Sequence, residues 1–326
     1  MAVPLNKAFR HTVLWLVRRL PTDPRRRLER RFRGREEAEK LAAADIVVVS
    51  FGKSGRTWLR VMMSRFYQLA YGLAKEEMLG FDNLHRRDSR IPRVLFTHDN
   101  YLKDYTGHAD SKVDYLGKRT VLLVRNPKDV AVSLFFQWKH RMRPGKKILN
   151  HYPEDSADVS VYDFVTSEIW GLSRVIRFMN LWAQEAHNFD ELLIVRYEDL
   201  RTDPEAEFRK VMAFIGDPVA ADDIRDAVEY ASIENMRRQE ENNDSRFTSG
   251  RMKPGQKGVQ DSYKVRRAKV GGYRDYFSTE EIEAIDAQVA STLSPVYRYD
   301  EKLEESGGES GGTSASEPTD SVATGH

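Results

Sequence analysis

Short runs of β-branched and aliphatic residues alternate along the middle of the chain with longer segments whose apolar residues recur every three or four positions. The short runs are typical of buried parallel strands, and the longer segments are typical of amphipathic helices. The predicted strands are 46–50, 93–97, 119–124 and 192–196, and the predicted helices are 57–71, 127–140, 161–187, 204–216 and 279–290. Strands separated by helices predict an α/β protein with three layers, in which helices flank a mostly parallel central sheet.

Three of these helices carry capping signals at their first residues. Asn126-Pro127 and Asp203-Pro204 each place a capping side chain before a proline at the first helical position. Ser278 and Glu281 have the spacing of a capping box. The starts of these helices are therefore the most sharply predicted boundaries in the chain.

The N-terminal residues form a basic, amphipathic segment. Residues 1–35 hold eleven Lys and Arg against two acidic residues, although the net charge of the whole chain is only +2. Apolar residues recur here at helical spacing, namely Phe9, Val13, Leu16, Val17 and Leu20. A basic amphipathic helix can lie on an anionic membrane surface, or it can pack on its own domain with its basic face in water. Residues 5–35 are therefore a candidate for peripheral membrane contact.

The C-terminal residues have a different composition. From Glu304 onward the chain is rich in Gly, Ser, Thr and Glu and nearly free of apolar side chains. Such a segment cannot bury enough surface to offset the entropy of ordering it. We therefore predict three parts: a basic extension at 1–43, a folded domain at 44–302 and a disordered tail at 303–326.

Composition excludes several classes of protein. The 326 residues include no cysteine, which excludes a disulfide scaffold, a thiolate metal site and a cysteine nucleophile. No apolar run has the length of a membrane-spanning helix or a secretory signal. Aromatic residues do not alternate with the N-terminal charges, which disfavours a nucleic-acid partner. The chain is expected in the cytoplasm, either free or peripheral at a membrane surface.

The loop after the first predicted strand has the residues of an anion-binding site. Gly52-Lys53-Ser54-Gly55 leads directly into a helix, whose first amides can bind phosphate or sulfate together with Lys53 and Thr57. A triphosphate-binding loop needs a glycine five residues before the glycine of its Gly-Lys pair, where this chain has Val47. Arg125 follows the third strand, where a magnesium site would need an acidic residue. The loop therefore fits a smaller anion and needs no metal.

Four segments together resemble the sulfotransferases that use 3′-phosphoadenosine-5′-phosphosulfate (PAPS). Lys53-Ser54-Gly55-Arg56-Thr57-Trp58 is similar to the family's 5′-phosphosulfate loop, and Arg125-Asn126-Pro127-Lys128-Asp129-Val130-Ala131-Val132-Ser133 is similar to its 3′-phosphate motif. Tyr197-Glu198-Asp199-Leu200 resembles a third recurrent segment. Arg266-Arg267-Ala268-Lys269-Val270-Gly271-Gly272-Tyr273 resembles a divergent form of the C-terminal motif. The four occur in the family's order over residues 44–300, which implies its P-loop-like fold.

The resemblance implies which residues bind the donor. They are Ser54, Gly55, Arg56, Thr57, Trp58, Arg125, Ser133, Tyr197, Ser232, Arg266 and Arg267. Lys53 is implied to contact the bridging oxygen of the phosphosulfate and to stabilise the leaving group. Thr57 and the loop amides hold the 5′-phosphate, and Trp58 and Tyr197 border the adenine.

The remaining donor residues are implied to bind the 3′ side of the nucleotide. By the resemblance, Arg125 and Ser133 match the residues that bind the 3′-phosphate. An arginine at a strand end can bind a phosphate through two hydrogen bonds, which suits this role. Arg266 and Arg267 are implied to cover this phosphate. Ser232 matches, less closely, a position that contacts adenine.

His98 directly follows the second strand. The segment Phe96-Thr97-His98 resembles the context of the family's general base, which implies that His98 is the base. Histidine suits this task because its ordinary pKa lies close to neutral. Asp99 beside it either orients the ring or faces solvent. The implied reaction is an in-line displacement that moves the sulfuryl group from PAPS to an acceptor hydroxyl, with no metal.

The acceptor is expected to be polar. The stretches expected to line its site, 75–90, 100–117, 141–159 and 240–264, are rich in charged residues, Asn and Tyr. They favour a small polar molecule or a glycan, such as a carbohydrate or glycolipid. Two alternatives to PAPS-dependent transfer stay open: a nucleotide kinase or NTPase with a divergent phosphate loop, and a non-catalytic module that docks on a membrane.

Overall fold

The computed structural model describes residues 12–13, 15–17, 19–75, 77–217, 220–241, 255 and 260–299. The strands are β1 (Ile46–Val49), β2 (Val94–Thr97), β3 (Arg119–Val124) and β4 (Leu192–Arg196). The helices are α1 (Thr22–Ala43), α2 (Arg56–Ala70), α3 (Leu102–Thr106), α4 (Pro127–His140), α5 (Pro144–Leu149), α6 (Val161–Thr166), α7 (Leu172–Glu185), α8 (Tyr197–Thr202), α9 (Pro204–Ile215), α10 (Ala221–Tyr230), α11 (Ile233–Glu241) and α12 (Thr279–Thr292). Short 3-10 helices lie at Val113–Tyr115, Ala186–Asn188, Gln260–Ser262, Gly272–Tyr276 and Pro295–Tyr297.

The four strands form one sheet in the order β2-β1-β3-β4. Every neighbouring pair is parallel, with Val48 opposite Phe96 on one side and opposite Val121 on the other. Parallel neighbours need crossover connections, which the intervening helices provide. The predicted α/β class with a parallel central sheet is therefore confirmed.

Side chains of β1 alternate between the two faces of the sheet and are buried on both. Val47 and Val49 pack in a core with α4, α7 and α12, whereas Ile46 and Val48 pack in a second core with α2, α9 and α10. Helices therefore cover both faces, and the sheet is the middle of the three predicted layers. This double burial explains the continuous apolar run in the sequence.

The single long helix predicted over 161–187 is wrong. The chain forms two helices there, α6 and α7, separated by residues 167–171. The backbone of Ser167 is extended, with ψ 130°, and Gly171 approaches α6 so closely that a Cβ on it would lie 2.1 Å from the carbonyl oxygen of Val165. Apolar spacing continues across the break because both helices face the same core. Periodicity alone therefore does not reveal the turn.

Replacing Gly171 with alanine is expected to destabilise the protein by about 3 kcal/mol, the upper end of the usual cost of inserting a methyl group into packed structure. The added Cβ would collide with backbone atoms of α6, which cannot rotate away. Urea unfolding should show a lower midpoint with an unchanged slope. Gly145→Ala is the matched control, because a Cβ at Gly145 in α5 meets no atom within 4 Å. Equal stability of the two variants would contradict the close approach.

Helix α1 packs on the domain. Arg30 forms an ion pair with Asp104 at 2.9 Å and donates hydrogen bonds to the carbonyl oxygens of Asn100 and Leu149. A Cβ on Gly34 would lie 2.3 Å from the carbonyl oxygen of Tyr101, so only glycine allows this contact. The sequence left two alternatives for the basic N-terminal segment, contact with a membrane or packing on the domain. Residues 22–43 pack on the domain.

The structure describes only some of the residues for which the sequence made predictions at the two ends of the chain. Leu16 and Leu20, from the predicted apolar stripe, are exposed. Phe9, also from that stripe, and the predicted disordered tail at 303–326 lie outside the described residues. In the part of the chain that the structure describes, no helix has the length and apolar character needed to cross a membrane.

Candidate active site

Each strand of the sheet delivers one predicted site residue to the same edge. Lys53 lies in the loop after β1, and His98, Arg125 and Tyr197 directly follow β2, β3 and β4. The carboxyl ends of parallel strands meet at one edge, where ligands of such sheets bind. All four residues line a single cleft of about 950 Å³.

The loop after β1 is held in a conformation that favours glycine. Lys53 and Gly55 both have positive φ, 76° and 93°, and α2 begins at the next residue, Arg56. A Cβ on Gly55 would lie 2.6 Å from Cδ2 of Tyr197, so no larger residue fits there. The first amides of a helix have no partner within it, and the residues that carry them here, Arg56 and Thr57, line the cleft. The loop is thus shaped to bind an anion.

The Lys53 side chain lies in a strongly positive environment. Burial lowers its pKa to about 7, and the charges of Arg141, Arg125 and Arg266 act in the same direction. A bound anion would neutralise this repulsion and favour the protonated amine. The cluster therefore has the electrostatics of a site for a multiply charged anion.

Arg125 connects the loop, the end of β4 and the C-terminal segment. It donates to the carbonyl oxygens of Lys53 at 3.4 Å and Lys269 at 3.1 Å, and its guanidinium lies 4.4 Å from the ring centroid of Tyr197. Its Nε atom is buried with no hydrogen-bond partner among the described residues. A buried donor without a partner costs free energy, which a bound phosphate oxygen would recover.

Two aromatic rings form one wall of the cleft. Trp58 and Tyr197 meet edge to face, with ring centroids 5.7 Å apart. The indole Nε1 of Trp58 donates to the carbonyl oxygen of Ala231 at 2.9 Å, which fixes its orientation. Ile233 and Met236 line the cleft beside them. This apolar wall suits a planar base.

The buried carboxylate of Asp129 in α4 fixes the C-terminal segment near Arg125. It accepts hydrogen bonds from the backbone amides of Gly271 at 2.9 Å and Tyr273 at 3.0 Å. Because α4 begins directly after β3, this contact ties the segment to the strand end that carries Arg125. The spacing of the predicted C-terminal motif gives no sign of this carboxylate contact.

A second buried carboxylate, Glu240, fixes the start of the same segment. It accepts from the amides of Lys264 at 2.6 Å and Val265 at 3.1 Å, and it forms an ion pair with Arg141 at 3.1 Å. Glu240 is fully buried, and removing one partner of such a group leaves an uncompensated charge. Glu240 and Arg141 begin two of the stretches expected to line the acceptor site, but their role in fixing this segment was not predicted, because neither belongs to a local motif.

Arg266 and Arg267 both line the cleft, as the resemblance implies. Arg266 lies over the ring of Phe136, 4.1 Å from its centroid, and donates to the Tyr276 hydroxyl. Arg267 forms an ion pair with Asp275 at 2.7 Å. Both guanidiniums are therefore held in place by neighbouring side chains.

His98 is held at both ring nitrogens. Its Nδ1 lies 2.7 Å from the carbonyl oxygen of Ser50, which can only accept, so Nδ1 carries the proton. Its Nε2 therefore accepts from Nη2 of Arg56 at 2.6 Å. Burial and the Arg56 charge hold the pKa of His98 well below its usual value, so the ring is neutral. The atom that would act as a base is occupied by Arg56.

Asp99 neither orients the His98 ring nor faces solvent, so both expectations for it are wrong. Its backbone lies in the left-handed region, with φ 53°. The carboxylate instead accepts from Lys112 at 2.5 Å, Tyr115 at 3.0 Å and Trp182 at 3.3 Å. These buried contacts fix the turn that follows β2.

Most of the predicted site residues meet in the cleft. Those that line it are Lys53, Gly55, Arg56, Thr57, Trp58, His98, Arg125, Ser133, Tyr197, Arg266 and Arg267. Ser54 is buried behind the loop, and Ser232 caps α11 by accepting from the amide of Asn235 at 3.3 Å. Neither side chain is among the residues that line the cleft.

Helix α1 contributes a wall that the sequence analysis missed. Arg33, Glu36, Glu37 and Lys40 line the cleft on the side of His98. Burial raises the pKa of Glu37 to about 7, and this carboxyl group accepts a hydrogen bond from Thr97. The spacing of these four residues puts them on one face of a helix. This charged helix face was the feature of the sequence that could have predicted the wall.

The four stretches expected to line the acceptor site contribute unequally. The stretch 75–90 does not reach the cleft in its described part, and 100–117 contributes only Asn100 and Tyr101. The stretch 141–159 contributes most, including Arg141, Arg143 and Lys146. The site is therefore more cationic than a merely polar surface.

The sheet is parallel, and a glycine loop and a cationic cleft lie at its carboxyl edge. These features define a class of α/β proteins that bind phosphorylated ligands at a helix N-terminus. The sequence model described as "Sulfotransferase domain" matches residues 43–306, most of the chain. The chain belongs to the sulfotransferase family, as the four motifs predicted, and it is a sulfotransferase enzyme.

Two curated relatives have comparable similarity. Cytosolic sulfotransferase 12 of Arabidopsis thaliana is 24% identical over 271 residues, which are 76% of each protein. Sulfotransferase 2A1 of Rattus norvegicus is 25% identical over 255 residues, which cover 74% of this chain and 82% of the relative.

Two solved structures share the fold. Mouse sulfotransferase SULT7A1 complexed with PAP has a TM-score of 0.53 and 19% identity, covering 78% of this chain and 87% of that one. Retinol dehydratase in a complex with retinol and PAP has a TM-score of 0.53 and 16% identity, covering 77% and 82%. The predicted P-loop-like architecture is thereby confirmed.

Proposed function

We propose that the protein transfers a sulfuryl group from PAPS to a hydroxyl group of an acceptor. The observation that carries this proposal is the meeting of Lys53, His98, Arg125 and Tyr197 at the carboxyl edge of one sheet. Two proteins of similar fold hold PAP, the 3′-phosphoadenosine-5′-phosphate that remains when PAPS loses its sulfuryl group. Family membership favours this reaction over the kinase and membrane-module alternatives.

The donor would lie across the loop and the aromatic wall. The amides at the start of α2, with Thr57, would bind the 5′-phosphate. Trp58 and Tyr197 would border the adenine, and Arg125 with Ser133 would bind the 3′-phosphate. The partnerless Nε of Arg125 supports this assignment, because a phosphate oxygen would complete its hydrogen bonding.

Transfer would proceed by in-line displacement. The acceptor oxygen attacks sulfur, the bond from sulfur to the bridging oxygen breaks, and PAP leaves with the electron pair. Lys53 would meet the negative charge that develops on the bridging oxygen, since charge stabilisation is the main contribution that proteins make to such reactions. His98 would take the acceptor proton on Nε2, which is the unprotonated nitrogen.

His98 can act as a base only after Arg56 leaves its Nε2. The phosphosulfate offers Arg56 an anionic partner on the other side of the loop. We therefore propose that donor binding draws the guanidinium away and frees the imidazole. Arg56 would then serve the donor, as the resemblance implies, and also keep the base covered until the donor is present.

Three further proposals follow from the sequence. The catalytic domain would span 44–302, close to the matched residues 43–306. The acceptor would be a small molecule or glycan, and residues 5–35 would contact a membrane surface peripherally. The Arabidopsis relative is named a cytosolic sulfotransferase, which favours a cytoplasmic location.

Thermal unfolding with PAP tests the donor assignment. PAP is expected to raise the melting temperature of the wild type, because a ligand that binds only the folded state stabilises it. ATP with magnesium is expected to give a far smaller shift. Arg125→Ala should lose most of the PAP shift, since it removes the donor of the 3′-phosphate contacts.

Arg119→Ala is the matched control, because Arg119 starts the same strand at the opposite edge and pairs with Glu191. This variant should keep the PAP shift whatever its own stability. No shift with PAP in the wild type would overturn the donor assignment. A shift with ATP alone would favour the kinase alternative.

A further inference from the structure

The cleft contains far more positive than negative side chains. Among the described residues that line it, fourteen are Lys or Arg and three are Asp or Glu. The donor accounts for the cations around the loop, but not for those on the side of His98. The unexplained cations are Arg33, Lys40, Arg143, Lys146 and Arg174.

The two groups of cations are separate clusters. The charges that act most strongly on Lys53 are those of Arg141, Arg125 and Arg266. Those that act most strongly on Lys146 belong to Arg33, Arg143 and Arg56. Arg56, which contacts His98, and Lys264, which acts on both His98 and Lys53, lie between the clusters. The second cluster therefore surrounds the space beside the base, where the acceptor must lie.

Several members of the second cluster are not neutralised. Within the part of the chain that the structure describes, neither Arg143 nor Lys146 forms an ion pair or a side-chain hydrogen bond, and both line the cleft. Arg174 donates to the carbonyl oxygen of Asn150 at 3.0 Å and lies 5.1 Å from the ring centroid of Tyr152, but no described acidic residue pairs with it. Burial lowers the pKa of Lys146, and the charges of Arg33, Arg143 and Arg56 act in the same direction.

The acidic residues of the same wall do not balance this charge. Burial raises the pKa of Glu37 to about 7, so the group is partly protonated at neutral pH. Arg33 pairs with Glu29 at 2.6 Å but still faces the cleft. A neutral acceptor would leave the cluster uncompensated, whereas an anionic group would relieve it.

We propose that the acceptor carries its own negative charge, as a carboxylate or a sulfate or phosphate ester, and that Lys146 and Arg143 bind this group while His98 faces the hydroxyl. The proposal rests on the proposed function, since it assigns the acceptor side of the same cleft. The anionic group serves as an anchor and takes no part in the transfer. Tyr101, Asn150 and Tyr152 line the wall between them and offer polar contacts to the remainder of the acceptor.

Acceptor pairs that differ only in charge test the proposal. Galacturonate is compared with galactose, and 4-hydroxyphenylacetate with 4-hydroxyphenylacetamide. Each is added to the PAP complex in thermal unfolding and to PAPS in a transfer assay. The charged member of each pair should add a further thermal shift and have kcat/KM at least tenfold higher, since hydrogen bonds between charged groups contribute about that much.

Lys146→Gln and Arg143→Gln should each lower kcat/KM for the charged acceptors by about tenfold, mainly through KM, and leave the neutral acceptors unchanged. Raising the salt concentration should weaken the preference in the wild type. Lys210→Gln is the matched control, because Lys210 is exposed on α9, outside the cleft, with 52% of its side chain accessible. The Lys210→Gln variant should prefer the charged acceptors over the neutral ones as strongly as the wild type does.

The outcomes separate this proposal from the proposed function. Absence of a PAP shift would mean that the donor assignment has failed. With a normal PAP shift, equal responses to the two members of each pair, or no response to the charged members, would overturn the anionic acceptor and leave the donor assignment intact. Loss of the preference in Lys210→Gln would show that it reflects general surface charge, which also overturns the proposal.

Discussion

His98→Asn is expected to lower kcat by about a hundred- to ten-thousandfold, the range that a positioned general base contributes. The asparagine amide can still donate to the carbonyl oxygen of Ser50, but it cannot take up the acceptor proton. PAP should stabilise the variant as it stabilises the wild type, because the donor contacts lie around Lys53 and Arg125. His108→Asn, on an exposed loop where His108 pairs with Asp114, should have wild-type activity.

The pH dependence of transfer gives a second check on this assignment. Burial and Arg56 hold the pKa of His98 well below 6.5, so the ring stays unprotonated throughout the neutral range. The acidic limb of kcat/KM should therefore lie below pH 6.5. A His98→Asn variant within a few fold of the wild type would show that another group takes the proton.

Lys53→Met is expected to lower kcat by about a hundred- to a thousandfold, the usual cost of removing one group that stabilises developing charge. Methionine keeps the length of the side chain and removes only the ammonium. Lys210→Met is the control, and it should leave kcat unchanged. A loss confined to KM would contradict a role in stabilising the leaving group.

The same lysine predicts a specific pH dependence for PAP binding. The pKa of Lys53 is about 7 in the free protein, and an anion beside it should raise this pKa. PAP affinity is therefore full below pH 7 and falls as the pH rises above 7, by at most tenfold per unit, up to the pKa of the complex. Calorimetry from pH 7.5 to 9 should show this fall in the wild type and none in Lys53→Met. A pH-independent affinity in the wild type would contradict it.

Much of the fold was predictable because its signals are local. The strand 119–124 matches β3, and the capping residues Asn126, Asp203 and Ser278 stand where α4, α9 and α12 begin. The break between α6 and α7 was not predictable, because it depends on the close approach of Gly171 to Val165. Its apolar spacing is that of a continuous helix.

The candidate site likewise combines residues that the sequence predicts with contacts that only the folded structure reveals. Lys53 and Arg125 were found because they follow strands, and His98 and Tyr197 were found because their segments resemble the family's motifs. The contact between Arg56 and His98 depends on side-chain conformation, so no motif could indicate it. Glu240 lies far along the chain from the segment it fixes, and only the folded structure reveals that contact.

The position of α1 has a consequence for how the enzyme can diversify. The residues assigned to the donor all lie within the stretch that matches the family, 43–306, whereas Arg33, Glu37 and Lys40 precede it. On the proposal that the acceptor lies beside His98, substitutions at Arg33, Glu37 and Lys40 would alter acceptor choice without touching the nucleotide site. The cleft-facing side of α1 would then be open to change, while Arg30 and Gly34 keep the helix on the domain.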